Sequence, residues 1–347
     1  MDKTIWIGSY TYTGESKGIY LVTLDTENGG LTLHQICSEC ENPSFLAKNG
    51  DRIYAVYELL DRGSIATYGV DCAGGLTLLH REDMPGGLMC HLLVWPEAKY
   101  LTATNYWTGS MVVCPIDEDG IVRTPVCVKQ YAGKSVNPQR QEGPHTHSTC
   151  MDPSGTWLLC AELGLDRIYR YTFDPATGAI ASGASGEYVQ TPAGVGPRHF
   201  AFSREGKQVY VSAELSSEVL VYDFHRETGA MEFRQRISTL PEDFQGDNLA
   251  ADIHCSADGQ YLYVSNRGHD SIAVFTIQKD GSLRRRGNCA CGGKGPRSFT
   301  VLKDGWVLIA NQASGNVVSC RIEDDGLLGD IRSQLPVPQA SYVLCED

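Results

Sequence analysis

An alternating run of apolar residues ending in a polar side chain recurs seven times along this 347-residue chain. The copies read IWIGSY (ending at Tyr10), IYAVYE (Glu58), YLTATN (Asn105), WLLCAE (Glu162), VYVSAE (Glu214), LYVSN (Asn266) and VLIAN (Asn311). Their ends fall roughly 50 residues apart, the spacing of four-stranded sheets repeated around a central axis. The fifth copy shows the unit. Arg198–Phe202 reads as a first strand, Val209–Glu214 as a second, Glu218–Phe224 as a third and Met231–Ile237 as a fourth, each bounded by turn residues. The expected fold is therefore all-β, a seven-bladed β-propeller forming a single domain over residues 1–347.

The two ends of the chain extend this reading. The chain begins on a second strand, Thr4–Ser9, with no first strand before it. It ends on 338–347, PQASYVLCED, which aligns with Asn42-Pro43-Ser44-Phe45 and its continuation. The C-terminal strand is thus expected to join the N-terminal blade and close the ring, leaving no sheet edge open to association. The 37 glycines and 17 tyrosines fit a chain of many tight turns and aromatic strands.

Charge narrows the partners. The formal net charge is −13, which argues against nucleic acid or an anionic membrane surface as the main partner. No apolar stretch approaches the roughly 18 residues of a spanning helix. The N-terminus lacks a basic segment followed by an apolar one, so no signal peptide is read. Thirteen cysteines, most of them within strand-like runs, then suggest a reducing, cytoplasmic setting without disulfides. Cys37-x-x-Cys40 and Cys289-x-Cys291 lack the second pair that a zinc site needs. No metal and no cofactor are expected, and the chain is expected to act as a monomer or homodimer.

In a propeller blade the start of the first strand and the end of the second lie on one face. Aligning first-strand starts gives Ser44, His91, His147, His199, Asp252, Ser298 and Ser341, all polar. Before three of them come Gly143-Pro144-His145, Gly196-Pro197-Arg198 and Gly295-Pro296-Arg297. The second-strand ends add Glu58, Asn105, Glu162, Glu214, Asn266-Arg267 and Asn311. Inner-strand Ser, His and Asp can serve only to bond neighbouring backbone. Several arginines and histidines on one rim, however, suit a small anion, because guanidinium groups bind phosphate or carboxylate bidentately. His145-x-His147 and Asp252-x-His254 each share a strand face. No nucleophile elbow, Walker loop or complete dinucleotide fingerprint is present.

The runs GPHTHS (143–148), GPRHFAFSREGKQVYVSAELSSEVLVYDF (196–224), DIHCSADGQYLYVSNRGHDSIAVF (252–275) and GPRSF (295–299), with the opening IWIGSYTYTGESKGIYLVTLDTENGGLT, carry a resemblance. Over essentially its whole length the chain resembles the seven-bladed propeller lactonase family, the 6-phosphogluconolactonases related to the fungal carboxymuconate-lactonizing enzyme. The resemblance implies hydrolysis of 6-phosphoglucono-1,5-lactone. It implies a site made of His147 (or His145), Arg198, Glu214 and Arg267. The first motif reads His-Thr-His where family members often carry His-Pro-His, which leaves open which histidine acts.

On this reading Glu214 or a rim histidine takes a proton from water, Arg198 stabilises the oxyanion, and Arg267 and Arg297 hold the phosphate. His145, His199, His254 and Asn266 join Arg297 as expected substrate contacts. Three alternatives stay open. One is a lactonizing or cycloisomerizing enzyme acting on a carboxylated diene acid. The second is a calcium-dependent lactonase using the oxygen side chains at the second-strand ends. The third is a non-enzymatic platform that binds a protein partner on its rim.

Overall fold

Second strands buried on both faces read as near-continuous apolar runs, whereas outer strands alternate. The computed structural model, which describes residues 2–183 and 186–345, follows that rule. Trp157–Glu162 and Trp306–Asn311 are buried at every position, and the outer strands Cys127–Gln130 and Ser333–Pro336 alternate half-buried and exposed.

Seven antiparallel sheets form among the described residues. The first contains Asp2–Ser9, Ile19–Asp25 and Leu31–Cys37, and Ala340–Cys345 pairs along Asp2–Ser9. The C-terminal strand therefore completes the N-terminal sheet; the last two residues of its expected span, Glu346 and Asp347, lie outside the described residues. The second sheet holds Leu46–Asn49, Arg52–Glu58, Gly63–Val70 and Leu76–Met84. The third holds Met89–Val94, Tyr100–Asn105, Ser110–Pro115 and Cys127–Gln130. In the fourth, Thr146–Met151, Trp157–Glu162 and Arg167–Phe173 are followed by two short outer strands, Ile180–Ser182 and Tyr188–Gln190. The fifth is Pro197–Phe202, Gln208–Ala213, Glu218–His225 and Ala230–Ser238. The sixth is Leu249–Cys255, Tyr261–Arg267, Ser271–Ile277 and Leu283–Ala290. The seventh is Pro296–Val301, Trp306–Asn311, Asn316–Arg321 and Ser333–Pro336.

The chain groups into two compact units. One comprises Met1–Pro43, Phe200–Tyr222 and Phe233–Asp347; the other comprises Ser44–His199 and Asp223–Glu232. In the first unit, apolar cores fill the spaces between facing sheets. Ile5, Ile7, Val22 and Leu24 meet Trp306, Leu308 and Val317, while Tyr263, Ile272 and Val274 meet Phe299, Val307 and Ile309. In the second unit, Trp95, Met111 and Val113 pack on Leu158, Cys160, Tyr169 and Tyr171.

A recurring aromatic latch fixes these cores. A second-strand aromatic gives its N–H or O–H to a carbonyl in the outer turn of the next sheet. The second unit has Tyr54 Oη to Gly120 O (3.0 Å), Tyr100 Oη to Ala176 O (3.2 Å) and Trp157 Nε1 to Arg226 O (2.8 Å). The first unit has Tyr210 Oη to Gly281 O (3.1 Å), Tyr263 Oη to Gly326 O (2.9 Å) and Trp306 Nε1 to Thr26 O (3.0 Å). Glycine lets the turn lie flat on the ring. Gly229 (φ 64°) sits against the Trp157 indole and Gly29 (φ 82°) against the Trp306 indole, with no room for a Cβ. Burial pushes the Tyr263 phenol pKa up, so it remains a donor.

Two register details differ from the sequence alignment. His91, Ser148 and Ser298 stand opposite Thr104, Ala161 and Ala310, so Cys90, His147 and Arg297 are the extra residues of β-bulges. His147 thus does not share the ladder position of His91. Bulges add one residue to a strand and re-aim a side chain, which a position-by-position alignment misses. The second difference is at Glu214. Its strand ends at Ala213, so Glu214 lies one residue beyond, whereas Asn105, Glu162, Asn266 and Asn311 close their hairpins.

Tyr263→Phe removes one latch hydrogen bond and is expected to cost about 1 kcal/mol. Trp306→Ala also empties the ring volume and is expected to cost about 3–5 kcal/mol. Urea denaturation midpoints measure both; equal losses would show that the two latches do not work as described.

Candidate active site

In the second unit the longest repeat interval carries an extra loop, 131–145. Its ties are local and polar. Ser135 Oγ donates to Asp166 (2.6 Å), Gln141 Nε2 to Leu163 O (2.9 Å) and Arg140 Nη2 to the Tyr106 hydroxyl (3.0 Å). The loop delivers His145 and His147 into a line of rings. Phe45 meets His91 (4.4 Å between centroids), His91 meets His199 (5.6 Å) and His199 meets His147 edge-on (5.1 Å). His147 meets Tyr106 (5.8 Å), which stacks on His145 (4.6 Å).

The histidines differ in what holds them. His145 has both ring nitrogens beside acceptors, Nδ1 at Tyr106 O (3.0 Å) and Nε2 at Glu142 (3.1 Å). That suits a positioning role. His147 is held through its backbone, its carbonyl accepting from Thr104 Oγ1 (2.9 Å). Arg198 is 2% exposed, and its carbonyl accepts from Ser148 Oγ (2.5 Å). A guanidinium keeps its proton even when buried, so Arg198 carries its positive charge in a largely water-free setting.

The first unit holds the other candidates. Arg267 Nη2 lies 2.9 Å from Glu214 Oε2, and both side chains are mostly buried. Backbone closes the arrangement: Ala250 N donates to Glu214 O (3.2 Å) and Arg267 Nη2 donates to Ala250 O (3.3 Å). Arg297 rests over the Tyr10 ring at 5.3 Å. His254 lies 3.2 Å from Asp252, whose carboxylate also accepts from the Phe299 and Ile253 amides. This pair ties one first strand to the next. Asn266 is fully buried, with its amide engaged by Thr239 and Asn248 of the segment that joins the fifth sheet to the sixth.

Some of the side chains suggested above for calcium are held by neighbours, the two asparagines through their amide nitrogens. Glu58 accepts from Ser44 and Asn105 Nδ2 donates to Pro85 O. Asn311 Nδ2 donates to Cys291 O. Among the described residues, no group of three or more His, Cys, Asp or Glu side chains is placed to hold a metal ion.

Two aspartates not singled out in the sequence shape the approach to the arginines. Asp166 adopts φ 53°, a conformation that Asp tolerates better than most residues. Its carboxylate accepts from the amides of Gly194 (2.6 Å) and Gly196 (2.8 Å), and its carbonyl accepts from Thr191 N (2.9 Å). The segment entering Gly196-Pro197-Arg198 is thereby fixed. Asp270 (φ 55°) does the same in the first unit, accepting from Gly295 N (2.7 Å) ahead of Pro296-Arg297. Both sit at the turn between second and third strands, far along the chain from the glycines they hold. Only an Asp recurring at that turn hinted at them.

Glu162 is fully buried and accepts from the amides of Leu165 (2.7 Å) and His145. Burial dominates and raises its pKa to about 8. The folded state therefore keeps this proton to higher pH than the unfolded chain does. The associated stability is fully present below the ordinary carboxylate range and is lost as pH rises toward 8.

Residues 4–345 match the family described as Lactonase, 7-bladed beta-propeller. A 6-phosphogluconolactonase of Bacillus subtilis is 34% identical over 346 residues, covering 98% of this chain and 96% of the relative. A periplasmic gluconolactonase of Pseudomonas aeruginosa superposes with a TM-score of 0.93 at 28% identity, covering 99% of both chains. A Lactobacillus plantarum protein does so with a TM-score of 0.93 at 30% identity, covering 100% of both. The chain belongs to the seven-bladed β-propeller lactonase family. It is an enzyme of the carboxylic ester hydrolase class that opens lactones.

Glu162→Gln removes the titrating group. The stability of this variant relative to wild type is expected to improve steadily from pH 5 to pH 8.5, read as thermal midpoints in matched buffers. Parallel pH profiles for the two proteins would contradict the buried-carboxyl reading.

Proposed function

We propose that this chain hydrolyses 6-phospho-D-glucono-1,5-lactone to 6-phosphogluconate, the lactone-opening step of the pentose phosphate pathway, in the cytoplasm. The observation that carries the substrate is the full-length likeness to the Bacillus subtilis 6-phosphogluconolactonase. The observation that supports the chemistry is the buried Glu214–Arg267 pair.

Glu214 acts as general base. Its carboxylate takes a proton from water as the water oxygen attacks the lactone carbonyl. The tetrahedral oxyanion then collapses, the ring C–O bond breaks, and the proton passes to the departing alkoxide. Arg267 holds Glu214 in place. A guanidinium carries five N–H groups, so this pairing is compatible with Arg267 also meeting an anion. Arg297, stacked on Tyr10, takes the phosphate. Arg198 is assigned to the oxyanion and His147 to proton transfer. His145, His199 and His254 are assigned to orientation. No residue here need form a covalent intermediate, and no metal is required on this reading.

The test is the initial rate on freshly generated lactone, above its spontaneous opening. Glu214→Gln is expected to lower kcat about 10²–10⁴-fold with little change in KM. Arg198→Ala is expected to lower kcat by a factor of order 10²–10³, as for the loss of one oxyanion donor. A chelator is expected to leave the rate unchanged. Full activity in Glu214→Gln would remove Glu214 from the mechanism, and loss of activity to chelator would favour the metal-dependent alternative.

A further inference from the structure

Cys37-x-x-Cys40 plays no part in the chemistry above, yet its geometry is specific. Cys37 is the last residue of the outer strand Leu31–Cys37 and is half-buried, while Cys40 is buried in the turn that follows. The turn is anchored at both ends. The strand ladder pairs Cys37 with Ile19 on one side. On the other side Asn42, at φ 47°, accepts from Thr11 N (2.7 Å) and Tyr12 N (3.1 Å) and donates its own amide to Thr11 Oγ1 (3.1 Å). Within this clamp the Cys40 thiol donates to the Cys37 carbonyl (3.3 Å). Both groups close on Gly18 (φ 132°), where a Cβ would collide with the Cys37 carbonyl oxygen and with Cys40 Sγ. The two side chains are therefore held together by a short, doubly tethered turn.

The thiols also differ electronically from the rest of the molecule. The Cys40 side chain beside it draws the Cys37 thiol down to about 7, toward the thiolate form. Burial drives others the opposite way: Cys150, Cys255 and Cys320 rise to about 12, and Cys291 rises to about 11. The second close pair, Cys289 and Cys291, is thus kept in the thiol form, with Cys289 Sγ accepting from Leu328 N (3.2 Å). Spacing and burial are alike in the two pairs; the tethered turn and the contact of Cys40 with Cys37 set the first pair apart.

We propose that Cys37 and Cys40 form a reversible dithiol–disulfide site whose oxidant is a low-molecular-weight disulfide. The Cys37 thiolate attacks one sulfur of the small disulfide, whose S–S bond breaks and releases one thiolate. Cys40 then loses its proton and attacks the Cys37 sulfur of the mixed disulfide, releasing the second thiolate. Two protein thiols are oxidised to one disulfide, and one small disulfide is reduced to two thiols, which take up the two protons. Cys37 is the attacking residue because it is the more exposed of the two and its thiol is drawn down toward the thiolate. Cys40 resolves because the turn already presents its sulfur to Cys37.

The experiment treats the reduced full-length protein with glutathione disulfide at pH 7, quenches in acid, alkylates and maps peptides by mass. Exposed Cys72 is the internal comparator. The Cys37–Cys40 disulfide is expected to form at least ~10-fold faster than any adduct on Cys72, as thiolate fraction rather than exposure sets the rate. Dithiothreitol is expected to reverse it. Cys40→Ser is expected to stop at a glutathione adduct on Cys37. Modification of Cys72 before Cys37 would overturn the proposal, as would a stable adduct on Cys37 in the wild type that never closes onto Cys40.

Discussion

The fold depends on how one sheet is fastened to the next. Strand pairing saturates each sheet internally but leaves its faces held only by apolar packing, which has no direction. The aromatic latch supplies direction. An indole or phenol on a second strand reaches one carbonyl in a neighbouring outer turn, and at Trp157, Trp306 and Tyr100 a glycine there gives the ring a flat seat. Each latch contributes about 1 kcal/mol as a hydrogen bond, on top of the burial of a large ring. The grouping of Asp223–Glu232 with Ser44–His199 follows from one of them, since this segment contains the turn on which Trp157 closes.

The same construction accounts for where polar chemistry can stand. Second-strand interiors are apolar through necessity, being buried on both faces. Several ionisable side chains of the candidate site stand instead at strand ends and on bulges. Glu214 stands just past its strand, Arg267 at the last residue of its own, and His147 and Arg297 on bulges. Buried charges at such places need partners. The Glu214–Arg267 pair is one answer, and the Asp166 and Asp270 braces fix the chain that leads into two further arginines.

Much of this was legible in the sequence, and for a physical reason. Alternation, turn residues and a period near 50 are local signals, and they report seven sheets and the closing C-terminal strand. Arg198, Glu214 and Arg267 stand out because charges at the edge of apolar runs are conspicuous. What was not legible is what local pattern does not encode. A bulge adds one residue without disturbing the alternation around it, so His91 and His147 looked equivalent. A long-range bond such as Asp166 to Gly196 leaves no spacing rule. Asn266 read as a rim group, and its amide is engaged by Thr239 in the segment that joins the fifth sheet to the sixth, a contact that no local pattern encodes. His254 likewise sits with Asp252, which knits adjacent first strands together.

In the proposed reaction arginine binds the phosphate of the substrate while Glu214 opens the ring. Comparing kcat/KM for 6-phosphoglucono-1,5-lactone and for unphosphorylated glucono-1,5-lactone tests that most directly. In the wild type the phosphorylated lactone should be favoured by a factor of order 10–10², the worth of a charge-assisted arginine contact, and Arg297→Ala should erase most of that preference by raising KM for the phosphorylated lactone alone. Equal kcat/KM for the two lactones, or a preference for the unphosphorylated one, would contradict it.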